Sequence, residues 1–406
     1  MSESDEDDIP ELVVLEENEP VDQKPCPVTI LSGFLGSGKT TLIQYILRSP
    51  DHGKRIAVIE NEYGDGLAVE SMIARDGAQS LADLIELPNG CVCCTVKDSL
   101  VATLENLLTK RSDLDYILIE CSGMANPGPI ASLFWLDDAL GSRLRLDSIV
   151  TLVDAAHIGQ QLEATLEAAQ QLAYADRIIL NKMDLVSAED LQEVEARIQR
   201  LCPLVPMRKT QQAQIPDLDW ILDARCFDSD RAMRIQQDVD TPEGVMFCQV
   251  CDKTDEPPHL HTDTIGTLSF VIPGSLDLDR LHQWLAEILW PNQDERNDVL
   301  QEAVATGHIV SSSDTESHIF RMKGILSVAS HSDSRLDTTE YLDEQRVDRR
   351  RYILQVVHDL WEVHPGLDLK WNEDEHRQSK VVVIGKHLKA GELREGLRSC
   401  VFDPCS

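Results

Sequence analysis

The sequence predicts an α/β protein in which a P-loop domain with a mostly parallel sheet is followed by a smaller α+β C-terminal domain. Three observations predict it. Over residues 28–226, short apolar runs alternate with amphipathic helical segments, the pattern of βαβ units. The stretch GFLGSGKT at 33–40 lies between the first apolar run and the first helical segment, where a phosphate-binding loop belongs. After a polar stretch, strand patterns resume between two helical segments without the βαβ alternation.

Within residues 1–25, the stretch before position 20 carries nine acidic residues and no basic one. Such a segment has too little apolar surface to offset the entropy of ordering, and most of it reads as disordered. Within it, IPELVVL at 9–15 is an apolar island, read either as a docking peptide or as a stray run. The P-loop domain covers 26–226. Its buried strands are VTILS, RIAVIE, YILIE, SIVTLVD and RIILN. Its helices are TTLIQYILR, SLVATLENLLTK, QQLEATLEAAQQLA and EDLQEVEARIQRL. Residues 227–262 are polar, contain a Pro-Pro pair and read as a linker. The second domain, 263–406, opens with the strand GTLSFVIP and the helix LDRLHQWLAEILW. IFRMKGILSV, RYILQVVHDLWEV and KVVVIGKHL supply further strands, and GELREGLRS a closing helix. Its helices are expected on one face of its sheet.

The net charge of −34 opposes nucleic acid and anionic membrane as partners. A hydrophilic N-terminus and no apolar run of about 18 residues predict neither a secretory signal nor a membrane span. The expected setting is the cytoplasm, with the nucleus left open. Eleven cysteines, an odd number, read in such a chain as thiols or metal ligands rather than a disulfide framework. Oligomeric state, including a homo-oligomer, is left open.

The chemistry of the 33–40 stretch is direct. Gly33, Gly36 and Gly38 let backbone N–H groups approach phosphate oxygens with no Cβ in the way. The helix N-terminus adds partial positive charge. Lys39 offers a full charge to the outer phosphates, Thr40 a hydroxyl to Mg²⁺, and Ser37 and Thr41 complete the nucleotide-contacting set. A ligand-free Gly-rich turn is the alternative, and placement after a strand speaks against it. Asn181, Lys182 and Asp184 have N-K-x-D spacing at the end of RIILN. Asp184 can accept from guanine N1–H and the exocyclic amine, Asn181 can meet O6, and the Lys182 stem can cover the ring. This selects GTP over ATP and makes the first domain a P-loop GTPase domain.

Two acidic strand ends complete the site. In YILIECSG at 116–123, Glu120 can hold Mg²⁺ through water, and Gly123 stands where a γ-phosphate is sensed. In IENEYGD at 59–65, Glu60, Glu62 and Asp65 fall where a nucleotide switch would lie. Mg²⁺ binding, water positioning and a second metal are open roles there, with a solvated acidic loop as the alternative. Lys39, Glu62 and Glu120 are the candidate catalytic residues.

In NGCVCC, Cys91, Cys93 and Cys94 follow an Asn-Gly turn. A loop lets all three sulfurs converge, whereas a strand would split them between faces. C-V-C lacks the C-x-x-C redox spacing. Three thiolates suit Zn²⁺, with a fourth ligand from elsewhere and Lys97 as a charge partner. Three buried cysteines acting as small hydrophobes are the alternative. In CQVCDKTDEPPHLH, Cys248, Cys251, His259 and His261 form a second candidate metal set, or a polar linker with incidental thiols.

GFLGSGKTT, IENEYGD, NGCVCC, ECSGMANPGPI and LNKMD, in this order, resemble the CobW-type metallochaperone GTPases. RMKGILSV and VVVIGKHL resemble that family's C-terminal domain, so the likeness spans roughly residues 26–390. Within the family, the eukaryotic zinc-regulated GTPase metalloprotein activators are the most similar branch. The resemblance implies a zinc site at Cys91, Cys93 and Cys94 coupled to the nucleotide state, with Glu60 and Asp65 near the metal. It also implies an N-terminal docking motif that engages type 1 methionine aminopeptidase. Ile9, Pro10, Leu12 and Val13 match that motif, and Val14 stands where it usually has Pro. The expected function is therefore a GTP-hydrolysing zinc chaperone using GTP, Mg²⁺ and Zn²⁺. The alternatives are a zinc buffer or sensor with structural GTP, a GTPase chaperone for another metal such as cobalt, and a P-loop kinase.

Overall fold

The computed structural model describes residues 25–50, 52–60, 83–86, 95–111, 113–136, 143–227, 265–290, 317–329, 347–372 and 375–402. The first sheet contains β1 (Cys26–Ser32), β2 (Ile56–Glu60), β3 (Asp83–Glu86), β4 (Tyr116–Glu120), β5 (Leu144–Asp154), β6 (Arg177–Asn181) and β7 (Met207–Lys209). They lie in the order β3-β2-β4-β1-β5-β6-β7, and every neighbouring pair is parallel. From β1 the chain runs first to one side of the sheet and later crosses to the other. Its carboxyl end is therefore the switch point at which such sheets bind ligands.

The connecting helices are α1 (Lys39–Arg48), α2 (Thr95–Lys110), α3 (Gly128–Leu136), α4 (Ile158–Ala164), α5 (Leu166–Tyr174) and α6 (Ala188–Leu201). Strand alternation divides the core between two faces. Val28 and Ile30 of β1 pack with Leu100 and Leu104 of α2 and Phe134 of α3. Leu31 faces the other way, onto Leu42, Ile43 and Ile46 of α1.

The run QQLEATLEAAQQLA, expected as one helix, breaks into α4 and α5 at Thr165, whose backbone is extended. Its amide and its hydroxyl both donate to the Gln161 carbonyl, at 3.0 and 2.9 Å. Local bonding by a β-branched hydroxyl residue competes with the helical ladder here. The four-residue β3 and three-residue β7 are too short to show periodicity, and α3 is apolar nearly throughout. None of the three is among the expected elements.

In the C-terminal half, β8 (Ile265–Pro273), β9 (Leu276–Asp277) and α7 (Leu278–Leu289) come first. They are followed by β10 (His318–Leu326), β11 (Val328–Ala329), β12 (Arg350–Val357), β13 (Leu360–Lys370), β14 (Gln378–Lys386) and α8 (Ala390–Ser399). Five strands form an antiparallel sheet, β13-β12-β10-β14-β8, and β9 pairs with β11. RYILQVVHDLWEV forms a hairpin in which Val357 pairs with Leu360 and His358 takes φ 60°. That turn lacks the Asn-Gly or Asp-Gly signal by which such hairpins are read.

One face of this sheet (Phe270, Met322, Leu354 and Val383) packs on Trp284 and Leu285 of α7 and Leu393 and Leu397 of α8. The other face meets the first domain. There Arg321 on β10 pairs with Asp176 and also donates to the Tyr174 carbonyl. Lys323 reaches the same carboxylate at 3.0 Å, and the Thr267 hydroxyl donates to the Leu201 carbonyl at 2.6 Å. Burial pushes the Asp176 carboxyl up, but the charges of Arg321 and Lys323 outweigh it and hold the group below the usual carboxylate range. No helix among the described residues is long and apolar enough to cross a membrane.

Candidate functional site

The phosphate loop links β1 to α1. Gly38, before the helix, has φ 109°, a conformation L side chains avoid. A Cβ there would lie 2.5 Å from the Asn181 side-chain nitrogen. Gly33 and Gly36 also have positive φ, and Ser37 is buried. Lys39 is 7% exposed and folds back over the loop, donating to the Gly33 and Phe34 carbonyls at 2.9 and 3.3 Å. Burial pushes its ammonium down from the ordinary lysine range, against the opposing pull of nearby Glu120. Thr40 and Thr41, on the first turn of α1, are exposed.

Glu120 closes one side of this loop. The Thr40 hydroxyl donates to its carboxylate at 3.0 Å. A hydroxyl and a carboxylate are hard oxygen donors of the kind Mg²⁺ selects, so the pair fits that ion. Gly123, three residues on, has no room for a side chain: a Cβ would stand 2.7 Å from the backbone of Leu35. The loop after β4 therefore lies directly against the phosphate loop.

Asn181, Lys182 and Asp184 arrive from β6. The Asn181 amide donates to the Ser37 carbonyl at 2.9 Å and accepts from the Ala213 amide at 2.9 Å. It thus braces the phosphate loop against the 210–214 segment, with its single acceptor engaged by protein. Lys182 takes φ 60° and donates to Asp154 at 2.8 Å. Burial pushes the Asp154 carboxyl up, but donation from Lys182 and His157 outweighs it and leaves the group below the usual range. Asp184 is exposed on a single 3₁₀ turn. The 210–214 segment is a part of the site that sequence reading missed. Gln212 and Ala213 there have φ 51° and 54° without being glycine, and the Thr210 amide donates to Leu180. Nothing in TQQAQ announces such a turn.

β2 ends at Glu60, and Glu60 is in register with Glu86 of β3 and with Glu120 of β4. In the sequence, the cysteine segment falls between the end of β3 at Glu86 and the start of α2 at Thr95. Cys91, Cys93 and Cys94, with Glu62 and Asp65, lie outside the described residues. So do Cys248, Cys251, His259 and His261, and the 1–24 segment with Ile9, Pro10, Leu12 and Val13. Among the described residues no three His, Cys, Asp or Glu side chains gather into a metal-sized group.

Residues 27–209 match the CobW/HypB/UreG nucleotide-binding domain, and residues 343–401 the cobalamin synthesis protein cobW C-terminal domain. The zinc-regulated GTPase metalloprotein activator 1 of Schizosaccharomyces pombe is 32% identical over 379 residues, covering 90% of this chain and 83% of that protein. The chain belongs to the CobW-type GTPase family. The Saccharomyces cerevisiae protein of the same name is 30% identical over 404 residues, covering 93% of this chain and 84% of its own. The crystal structure of Zn(II)-bound YjiA GTPase from Escherichia coli superposes with a TM-score of 0.61 at 25% identity, covering 94% of this chain and 100% of that one. The brace at Asn181 and the Thr40–Glu120 pair are thus features of a CobW-type GTPase whose two sheets both match that bacterial fold.

Proposed function

We propose that this CobW-type GTPase is a zinc chaperone that binds Zn²⁺ at Cys91, Cys93 and Cys94 and transfers it to a client metalloprotein on GTP hydrolysis. The observation that carries the reading is the place of the cysteine segment. It is bracketed by β3 and α2, with β3 three strands from β1 in the same parallel sheet. At the usual spacing of about 4.8 Å between strands, β3 lies about 14 Å from the phosphate-loop strand. The ends of β2 and β4, in register with that of β3, lie between them. The loops that follow β2 and β4 in sequence, proposed to reorder with the γ-phosphate, belong to strands one and two places from β3.

The chain's own groups divide the work. Lys39 neutralises the outer phosphates, and the loop amides between Gly33 and Thr40 cradle them. Thr40 and Glu120 would hold Mg²⁺, which when bound supplies charge neutralisation at the phosphates. Asp184 reads the guanine edge, Asn181 fixes the phosphate loop beneath it, and Lys182, held by Asp154, covers the ring. Glu62 positions the attacking water. Glu60 and Asp65 stand near the zinc ligands. Zinc is the cargo: a state in which GTP orders the 60–66 and 120–128 loops binds it more tightly than the GDP state, and hydrolysis weakens the site.

The client proposed is type 1 methionine aminopeptidase, docked through Ile9, Pro10, Leu12 and Val13, in the cytoplasm. The test is a transfer assay with zinc-loaded chain, apo-aminopeptidase and GTP. Aminopeptidase activity should appear with GTP and fail with a non-hydrolysable analogue or with Pro10→Ala. Equal activation with and without hydrolysis would refute the reading.

A further inference from the structure

We infer that Gln171 is a positioning residue for GTP hydrolysis, and that α5 carries the state of the loop after β4 to the C-terminal sheet. This rests on the nucleotide-site reading above.

Gln171 is 1% exposed on α5, where its buried neighbours are Ala168, Ala169, Leu172, Ala173 and Tyr174. A buried amide among apolar groups is retained only with partners. Its side-chain nitrogen, Nε2, donates to the carbonyls of Gly123 and Ala125, both at 3.1 Å. Its own backbone carbonyl accepts from the Thr151 hydroxyl on β5 at 2.9 Å, which ties that helix position to the sheet. The amide therefore fixes the loop at Gly123, the residue pressed against Leu35 of the phosphate loop.

The same helix continues into the domain junction. Tyr174, one turn on, hydrogen-bonds Asn126 and fills the space a Cβ at Gly128 would need. Its ring also stacks with His358 at 6.5 Å and packs against Phe320 at 5.8 Å. Its carbonyl accepts from Arg321, and Asp176 just beyond pairs with Arg321 and Lys323. One short helix, with the two residues that follow it, thus holds the loop after β4 at Gln171 and the C-terminal sheet at Tyr174 and Asp176. A shift of Gly123 with the γ-phosphate pulls on Gln171, and α5 transmits it to β10 and β12.

Gln171→Met keeps the length of the side chain and removes both donated bonds. In the full chain, kcat for GTP should fall roughly tenfold, and affinity for GTPγS should weaken while affinity for GDP stays at the wild-type value. Hydrogen exchange of β10 should differ between GTPγS and GDP in the wild type, and that difference should vanish in the variant. Unchanged kcat, or equal loss of GDP and GTPγS affinity, would overturn the positioning role, the latter by marking a purely structural residue. A β10 difference retained in the variant, or absent from the wild type, would overturn the relay. A wild-type chain that binds no GTP would instead refute the nucleotide-site reading itself.

Discussion

The Thr40 hydroxyl donates to the Glu120 carboxylate at 3.0 Å, joining the first turn of α1 to the end of β4 across 80 positions of sequence. Two elements of the nucleotide site are therefore held at hydrogen-bond distance by the groups proposed to share Mg²⁺. Glu120→Gln keeps the shape and removes the charge. It should lower kcat about 100-fold and raise the Mg²⁺ concentration needed for half-maximal hydrolysis, read from GTPase rates across a Mg²⁺ titration. An unaltered Mg²⁺ requirement would remove Glu120 from the ion's coordination.

Lys39 is buried, and its ammonium already donates to two loop carbonyls. Lys39→Ala should abolish GTP hydrolysis and nucleotide-dependent changes while zinc binding stays measurable, because the proposed zinc ligands fall in sequence between β3 and α2, apart from the phosphate loop. Undiminished hydrolysis in this variant would show that the phosphates bind elsewhere.

Asn181 satisfies the Ser37 carbonyl and the Ala213 amide at once. Asn181→Ala leaves both without that partner, at a cost of about 1–3 kcal/mol for a buried unsatisfied group. GTP and GDP affinities should fall together by tenfold or more, on the order of 1.4 kcal/mol per decade, as measured by calorimetry. Loss confined to GTP would show that Asn181 acts on the γ-phosphate rather than on the base side of the site.

Asp176 links the two sheets through Arg321 and Lys323. Its folded-state carboxyl lies below its unfolded value, so the stabilisation is present above the unfolded pKa of about 3.9 and is lost as pH falls through the lower folded value. Asp176→Asn leaves two cations at the junction without their carboxylate and should cost about 3–5 kcal/mol at pH 7. In urea unfolding, the gap between wild type and variant should hold constant from pH 7 to about 4 and shrink below it. A gap that closes already at pH 6 would contradict the depressed carboxyl.

Much of this was legible in the chain. The phosphate loop, the Glu120 strand end and N-K-x-D could be read because each falls at the end of a strongly apolar run, where periodicity and motif agree. What escaped was local and tertiary. Thr165 breaks a helix by bonding Gln161 with its hydroxyl, against an otherwise unbroken helical pattern. Gln212 and Ala213 hold positive φ in a turn without glycine, and the Asn181 amide rewards that turn through Ala213. Gln171 looked like one more polar helix residue, and only burial beside the Gly123 loop marks it out. Asp176 and Arg321 are 145 positions apart, beyond the reach of any sequence window.

The coupling between nucleotide and cargo is tested most directly by zinc affinity of the purified full chain, measured by competition with a chelator in saturating GTPγS and in saturating GDP. Coupling free energies of the usual size predict affinity at least about fivefold tighter with GTPγS. Cys93→Ser should lose that zinc binding while still binding GTP. Equal zinc affinity in the two nucleotide states would contradict a chaperone that releases its metal on hydrolysis.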